Sequence, residues 1–231
     1  YGAEEYEQGK EAGEKIEKEP NYSYAAARLL LNCLYKEVFK EGVDSDIFNL
    51  QYRKSFVQNI KRLVNDKRLD ERLLEFDLLK LSEAIKIRRD NLFKYLGIQI
   101  LYDRYFIRQD DKIMETPQAF WMRVAMGLAV NEDNKEEKAI EFYDIFSQML
   151  YTPSTPTLFN SGTTHSQLSS CYLNTFDDSI DGIFDGAWQE ARKSKYAGGL
   201  GLDVTPFRST GSHIEGTNGI SSGLVPWLKI Y

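Results

Sequence analysis

The sequence predicts an α/β chain: a mainly helical region of about 150 residues, then the first strands of a parallel sheet. Three observations carry this. Apolar residues recur at helical spacing through most of residues 24–150. From Thr152 the texture changes to Ser, Thr, Gly and Pro, with short apolar runs between them. A strand, a helix and a second strand then follow within roughly 40 residues, the βαβ rhythm of a parallel sheet, whose ligands meet the carboxyl ends of the strands. The chain accordingly divides into 1–150, helical, and 151–231, the start of the α/β domain.

After a charged lead-in, Pro20-Asn21-Tyr22-Ser23 offers a cap for a helix from Tyr24 to Lys40, in which Ala27, Leu30, Leu31, Leu34 and Val38 share a face. A second amphipathic helix, about Leu50 to Val64, turns Phe56, Val57, Ile60 and Val64 inward. Further helices are expected at about 76–88 and 90–101. Thr116 caps and Pro117 opens a helix through Val130, because proline at the first helical position gives up no hydrogen bond and already has the required φ. Phe120, Val124 and Leu128 line its face, and a following helix from Glu136 to Leu150 turns Ile140, Ile145, Phe146 and Met149 inward. Beyond the change of texture, Ser169 to Thr175 reads as a buried strand. Asp178-Ser179 caps a helix whose Ile180, Ile183, Phe184, Ala187 and Ala191 share a face, and Gly198 to Phe207 makes a tight turn and another strand.

The 231 residues carry 35 acidic and 29 basic side chains, a net charge of -6, with 42% hydrophobic residues, enough for a sizeable core. A net-acidic chain has no diffuse positive field for collecting nucleic-acid phosphates, so any nucleotide is gripped locally. No apolar run reaches the ~18 residues of a membrane span, and Tyr1-Gly2-Ala3-Glu4-Glu5 lacks the basic and apolar regions of a secretory signal; a cytoplasmic location is the expectation. Cys33 and Cys171 are too few for a disulfide framework or a cysteine-based zinc site within the chain, so a redox partner of either lies elsewhere. With His165 and His213 the two histidines, a histidine-rich metal site is excluded. The missing initiator Met and the uncapped run Trp227-Leu228-Lys229-Ile230-Tyr231 read as an excerpt of a longer chain.

Four local features can carry chemistry. Ser154 to Gly162 reads as a loop dense in hydroxyls and backbone donors that can cradle phosphate, or simply as a capped turn between helix and strand. Gln167-Leu168-Ser169-Ser170-Cys171 puts a cysteine at a strand start after a polar, accessible stretch, where a thiol can form a thiolate or a disulfide; Cys33, on the apolar side of a helix, reads as an inert core thiol. Lys195-Tyr196-Ala197-Gly198-Gly199-Leu200-Gly201 joins helix to strand and is neither a Walker loop nor a dinucleotide fingerprint, whose glycines follow a strand and open a helix. A left-handed helix C-cap accounts for at least one of these glycines, and three in four positions point to a close approach to the backbone. Last come Arg208-Ser209-Thr210-Gly211-Ser212 and Gly216-Thr217-Asn218-Gly219. Arg208 at a strand end can fork onto phosphate oxygens, and Asp178 at a helix start can accept from a ribose hydroxyl or fix a loop; either is as readily a surface charge.

In this order and spacing the four features, with Asp177-Asp178-Ser179-Ile180, closely resemble the large subunit of class I ribonucleotide reductases over a run from about Pro117 to Tyr231. Tyr24 to Val38 resembles the family's early helical region more loosely, and the amino-terminal ATP-cone of many members is not matched. The resemblance implies a ten-stranded α/β barrel, of which residues 151–231 hold the first strands, and radical reduction of ribonucleoside diphosphates to deoxyribonucleotides. By position it implies that Thr155, Ser170 and Gly199 help hold the diphosphate and ribose of the substrate. Cys171 matches one member of a redox-active pair, which delivers two electrons as the 2′-hydroxyl leaves as water and becomes a disulfide that thioredoxin or glutaredoxin must reduce.

Asp178, Ser179 and Ile180 match part of the allosteric specificity site, where a deoxynucleoside triphosphate or ATP, with magnesium, selects the substrate. Arg208 matches a contact to the effector's phosphates, and Lys195 and the Glu215-Gly216 turn line the same site. In such enzymes the radical begins on a metal-containing small subunit, and the helix bearing Phe184 and Trp188 packs on a second large subunit, making a homodimer. The family's radical cysteine and the second member of the pair are not in these residues, so the chain alone is not expected to turn over. Two other readings stay open: a non-catalytic nucleotide-binding or assembly piece completed by a second chain, and an unrelated cysteine enzyme using Cys171 and His165.

Overall fold

The computed structural model describes residues 3–39 and 42–229; Lys40, the expected end of the first predicted helix, lies outside them, as do Ile230 and Tyr231. Two compact units divide between Ser166 and Gln167. The division comes later than the change of texture at 151, because the intervening segment is bonded into the helical unit: Asp70 N–H donates to the Gly162 carbonyl and Arg123 to that of Ser161.

The first unit contains α1 (Ala3–Glu14), α2 (Tyr22–Phe39), α3 (Phe48–Asn65), α4 (Leu78–Ala84) and α5 (Tyr95–Ile100). A hairpin of β1 (Arg108–Gln109) and β2 (Lys112–Ile113) precedes α6 (Pro117–Ala129), α7 (Lys135–Ser147) and α8 (Thr155–Asn160). The expected inward face of α2 is buried at all five positions, and α3 buries Phe56 and Ile60. Val57 and Val64 are only half-buried against the core, and Leu63 takes the interior position instead. Ser23, expected in the cap of α2, lies inside the helix, where its hydroxyl accepts the Tyr95 N–H at 3.2 Å.

Residues 76–101 are not two regular helices. Asp77 caps α4 through the Leu79 and Lys80 N–H groups, but the helix stops at Ala84; a 3₁₀ segment spans Ile87–Leu92, and α5 follows extended Phe93. The interruption delivers Asp90 into the core, 2% exposed, where it accepts from Tyr35 Oη at 2.7 Å, Tyr52 Oη at 2.9 Å and Gln118 Nε2 at 2.8 Å. Burial pushes its carboxyl up to about 6, against three hydrogen bonds that favour the charged form.

The sequence assigns α6 one apolar face, yet every residue from Pro117 to Met126 is buried, as in a helix surrounded on all sides. Thr116 stands at its cap position but its hydroxyl makes no capping bond. In α7 the buried residues are Ala139, Tyr143, Phe146 and Ser147. Ile145 and Met149, expected inside, are exposed: Ala139, Tyr143, Phe146 and Ser147 mark the inner arc, and at roughly 100° per residue Ile145 falls on the far side of it. Met149 lies past the helix end with φ 60°.

In the second unit, β3 (Cys171–Thr175) and β4 (Gly199–Asp203) pair in parallel, with α9 (Ile180–Lys195) as the crossover, which is the expected βαβ unit. A hairpin of β5 (His213–Ile214) and β6 (Gly219–Ile220) follows, then α10 (Leu224–Leu228). Among the described residues no barrel closes; the strands form three separate pairs. β3 is not the buried strand its composition suggests. Its Tyr172 and Asn174 face α9, where Lys193 Nζ lies over the Tyr172 ring and donates to Asn174 Oδ1 at 2.5 Å. Cys171, Leu173 and Thr175 occupy the other face, and Leu173 is 89% exposed, because a two-stranded sheet with one helix against it covers one side only. Packing also selects the inner face of α9. A Cβ at Gly186 would stand 2.4 Å from the Phe176 ring, so the missing side chain admits that ring and turns Ile183, Gly186 and Glu190 inward. Ile180, Phe184 and Ala191, expected on the buried face, are exposed, as is Trp188.

Candidate functional site

Cys171 is the first residue of β3, exposed and not in a disulfide. Its partner in register is Gly199, whose N–H donates to the Ser170 carbonyl at 2.7 Å. A Cβ at Gly199 would stand 2.9 Å from that oxygen and 3.9 Å from Cys171 Sγ. Glycine therefore lets the backbones close here and leaves space beside the sulfur. Ser170, exposed, adds a hydroxyl immediately before the thiol. Of the close approach expected along the three glycines, the chain itself supplies part, since a Cβ at Gly198 would meet the Tyr172 ring at 2.7 Å. The left-handed residue at the helix end is Ala197, φ 64°, where the sequence suggests a glycine.

A cavity of about 580 Å³ opens at the start of α9, with Asp178, Ser179, Ile180, Phe207, Arg208 and Trp227 among its walls. Ser179 caps α9, its Oγ accepting the Gly182 N–H at 3.0 Å. Asp178 does not cap. Its carboxylate accepts the Arg208 backbone N–H at 3.2 Å and the Arg208 Nε–H, and its carbonyl accepts from Nη2 at 3.2 Å. Arg208 thus sits not at a strand end but in the loop between β4 and β5, held by the residue before the cap. A guanidinium carries five N–H groups, and those not given to Asp178 can meet an anion. Apolar walls with a few convergent polar groups make a pocket of ligand-binding type. Lys195, in the last turn of α9, lies over the Tyr196 ring at 5.5 Å, and Glu215 and Gly216 are exposed in the β5–β6 turn; none of the three forms the cavity wall.

Thr155 belongs to the first unit, as does His165, whereas Cys171 belongs to the second. The Ser154–Gly162 segment, read as a loop, is largely α8, with Thr155 in its first turn. The residues that hold it are ones the sequence reading passed over. Arg123, without exposed surface, donates to Glu115 from Nε at 2.6 Å and to the Ser161 carbonyl from Nη1 at 2.7 Å, while Ser161 Oγ donates to the Val124 carbonyl at 2.7 Å. Tyr105 lies with Oη 3.0 Å from Thr155 Oγ1 and stacks its ring on Phe159 at 4.5 Å. Arg123 had a legible signal: a lone charge in Phe120-Trp121-Met122-Arg123-Val124-Ala125-Met126 survives burial only when paired.

Two family models match consecutive stretches: "Ribonucleotide reductase, all-alpha domain" over residues 91–166 and "Ribonucleotide reductase, barrel domain" over residues 169–231. The chain belongs to the ribonucleotide reductase large-subunit family. It is 49% identical over 216 residues to the ribonucleoside-diphosphate reductase subunit alpha of Chlamydia muridarum, covering 93% of this chain and 20% of that protein. Identity is 40% over 223 residues to the Helicobacter pylori subunit alpha, covering 96% and 27%. It is 39% over 220 residues to the monkeypox virus large subunit, covering 92% and 27%. The chain spans about a fifth to a quarter of the length of these curated relatives. The ribonucleotide reductase domain boundary coincides with the break in packing after Ser166, so Thr155 and Tyr105 lie in the all-α domain and Cys171, α9 and the cavity in the start of the barrel domain. Among the described residues, no helix is long and apolar enough to cross a membrane and no three metal-ligating side chains cluster.

Proposed function

We propose that the protein carrying this chain reduces ribonucleoside diphosphates to deoxyribonucleoside diphosphates by a radical mechanism, with Cys171 as one of the two thiols that supply the electrons. The observation that carries this reading is Cys171 itself, an exposed thiol at the first residue of a barrel-domain strand, beside a glycine that leaves room next to the sulfur. In the reaction the C2′–O bond breaks and its oxygen leaves as water, a C–H bond forms at C2′, and two thiols become one disulfide, which balances the electrons and protons. The second thiol comes from outside these residues, because Cys33 is buried in the helical domain. A metal-containing small subunit supplies the radical, and thioredoxin or glutaredoxin the dithiol that reopens the disulfide. Ser170 and Gly199 offer the substrate a hydroxyl and a closely approachable backbone, and Thr155 offers a hydroxyl to its diphosphate.

The cavity at the start of α9 is the proposed effector site. A deoxynucleoside triphosphate, or ATP, lays its flat parts on Ile180 and Phe207, with Asp178 and Ser179 at its polar edge and Arg208 on its phosphates; Lys195, Glu215 and Gly216, which do not line the cavity, are proposed as effector contacts outside it. Magnesium would enter this site with the triphosphate and offset its charge. The exposed Phe184 and Trp188 of α9 are the proposed seat of a second large subunit.

The test is reconstitution of the full-length large subunit with its small partner. Cys171→Ser is expected to abolish multiple turnover of deoxynucleotide formation while leaving effector binding intact. Undiminished multiple turnover with a dithiol reductant would remove Cys171 from the chemistry.

A further inference from the structure

Tyr105 ends an irregular segment of the all-α domain. α5 runs directly into a π-helical turn, Leu101–Tyr105, closed by the Phe106 N–H on the Leu101 carbonyl at 3.1 Å. Such wide turns are rare and recur at functional sites, where they re-aim a side chain. Here the turn lays the Tyr105 ring nearly flat on Phe159 of α8, centroids 4.5 Å apart at 22°, and brings Oη to 3.0 Å from Thr155 Oγ1. Thr155 and Phe159 are four residues apart on α8 and so share its face. One tyrosine therefore engages both. Tyr105 and Thr155 are each half-buried.

A threonine hydroxyl has one proton to give and two lone pairs. When Tyr105 donates to Thr155, it occupies a lone pair of Oγ1 and leaves the threonine proton for a further acceptor. In the reverse arrangement Thr155 turns only lone pairs outward, which repel a phosphate oxygen. The phenol is the more acidic hydroxyl, which favours the first arrangement, and a chain of donors running Tyr105 to Thr155 to an anion strengthens along its length. We propose that Tyr105 is a positioning residue for the substrate: it orients the Thr155 hydroxyl as a donor and thereby sets the affinity for the diphosphate of the ribonucleotide. The inference rests on Thr155 being a diphosphate contact, as proposed above.

Tyr105→Phe keeps the stack on Phe159 and removes only the phenol oxygen. In the full-length large subunit with its small partner, KM for cytidine diphosphate is expected to rise roughly three- to tenfold, the range for one lost hydrogen bond. The kcat should stay within about twofold, the pattern of an interaction made equally in ground and transition states. Calorimetric binding of cytidine diphosphate to the large subunit alone should weaken by the same factor. In a Thr155→Ala background the substitution should change nothing further. If Thr155→Ala weakens binding and Tyr105→Phe does not, the inference fails and the substrate reading of Thr155 stands. If Tyr105→Phe weakens binding equally with and without Thr155, Tyr105 acts on the fold and the inference again fails. If Thr155→Ala leaves the affinity unchanged, Thr155 is not a diphosphate contact and both are overturned.

Discussion

Arg123, in the helical unit, has no exposed surface, whereas Arg208, in the α/β unit, has more than a third of its side chain in solvent. Both hold a carboxylate and a carbonyl. Arg123 does so inside a continuous core, and its bonds fasten α8 to α6. Arg208 does so at the mouth of a cavity, and its bonds shape a loop. The same contrast runs through the apolar residues: among the described residues, Phe176 and Ile183 are the buried hydrophobics of the second unit, and all the others lie before residue 167. The helical unit is thus held by burial, while the α/β unit is held by local devices such as the Ser179 cap, the Gly186–Phe176 packing and the β3–β4 register.

The largest effect expected from this contrast is at Arg123. Arg123→Met keeps much of the volume but strands buried Glu115 and the Leu158 and Ser161 carbonyls, a loss of roughly 3–5 kcal/mol in urea unfolding. A loss below about 1 kcal/mol would show that the buried pair is not what secures α8.

Next is the pH response of the helical core. Burial raises the Asp90 carboxyl from 3.8 to about 6, so folding takes up a proton there. The stability it contributes is fully present below the unfolded value and is lost as pH rises through the folded one. The difference between the two limits is on the order of 3 kcal/mol for a shift of this size. Asp90→Asn should flatten the fall in urea midpoint from about pH 4 to pH 6; an unaltered slope would place the titrating group elsewhere.

In the second unit the expected effects are smaller and local. Ser179→Ala should cost about 1 kcal/mol and speed amide exchange in the first turn of α9 without touching α6. Exchange that quickens in both units together would mean that they unfold as one. Smallest in stability is Arg208→Gln, less than about 1 kcal/mol for a partly exposed pair, yet it should weaken triphosphate effector binding clearly. Full effector affinity in that variant would detach Arg208 from the effector site.

Much of this was legible along the chain. The α2 face needed only its period, Ser179 was recognisable as a cap, and Cys171 was placed at a strand start from residue types alone, though its pairing with Gly199 was not. The errors share a cause. Ile145, Met149, Ile180 and Phe184 are apolar residues near a buried stripe, and a stripe one residue wider or narrower fits the same composition; which edge is inside depends on the neighbour that packs there, Phe176 in the case of α9. The break in residues 76–101 was hidden for a related reason: only the three partners waiting for Asp90, from α2, α3 and α6, make it worth interrupting a helix.

The sequence by itself determined the order of elements, the change from helical to α/β character, and the residue types of the thiol, the cap and the glycine-rich turn after α9, since each follows from local spacing or from what one side chain can do. Tertiary structure alone decided where the domain break falls, that Ser154–Gly162 is largely a helix, α8, clamped by Arg123, and that Tyr105 meets Thr155 across 50 residues of chain. Those outcomes are contacts between distant segments, and a contact has no signature in the local pattern of either partner until the fold brings the two together.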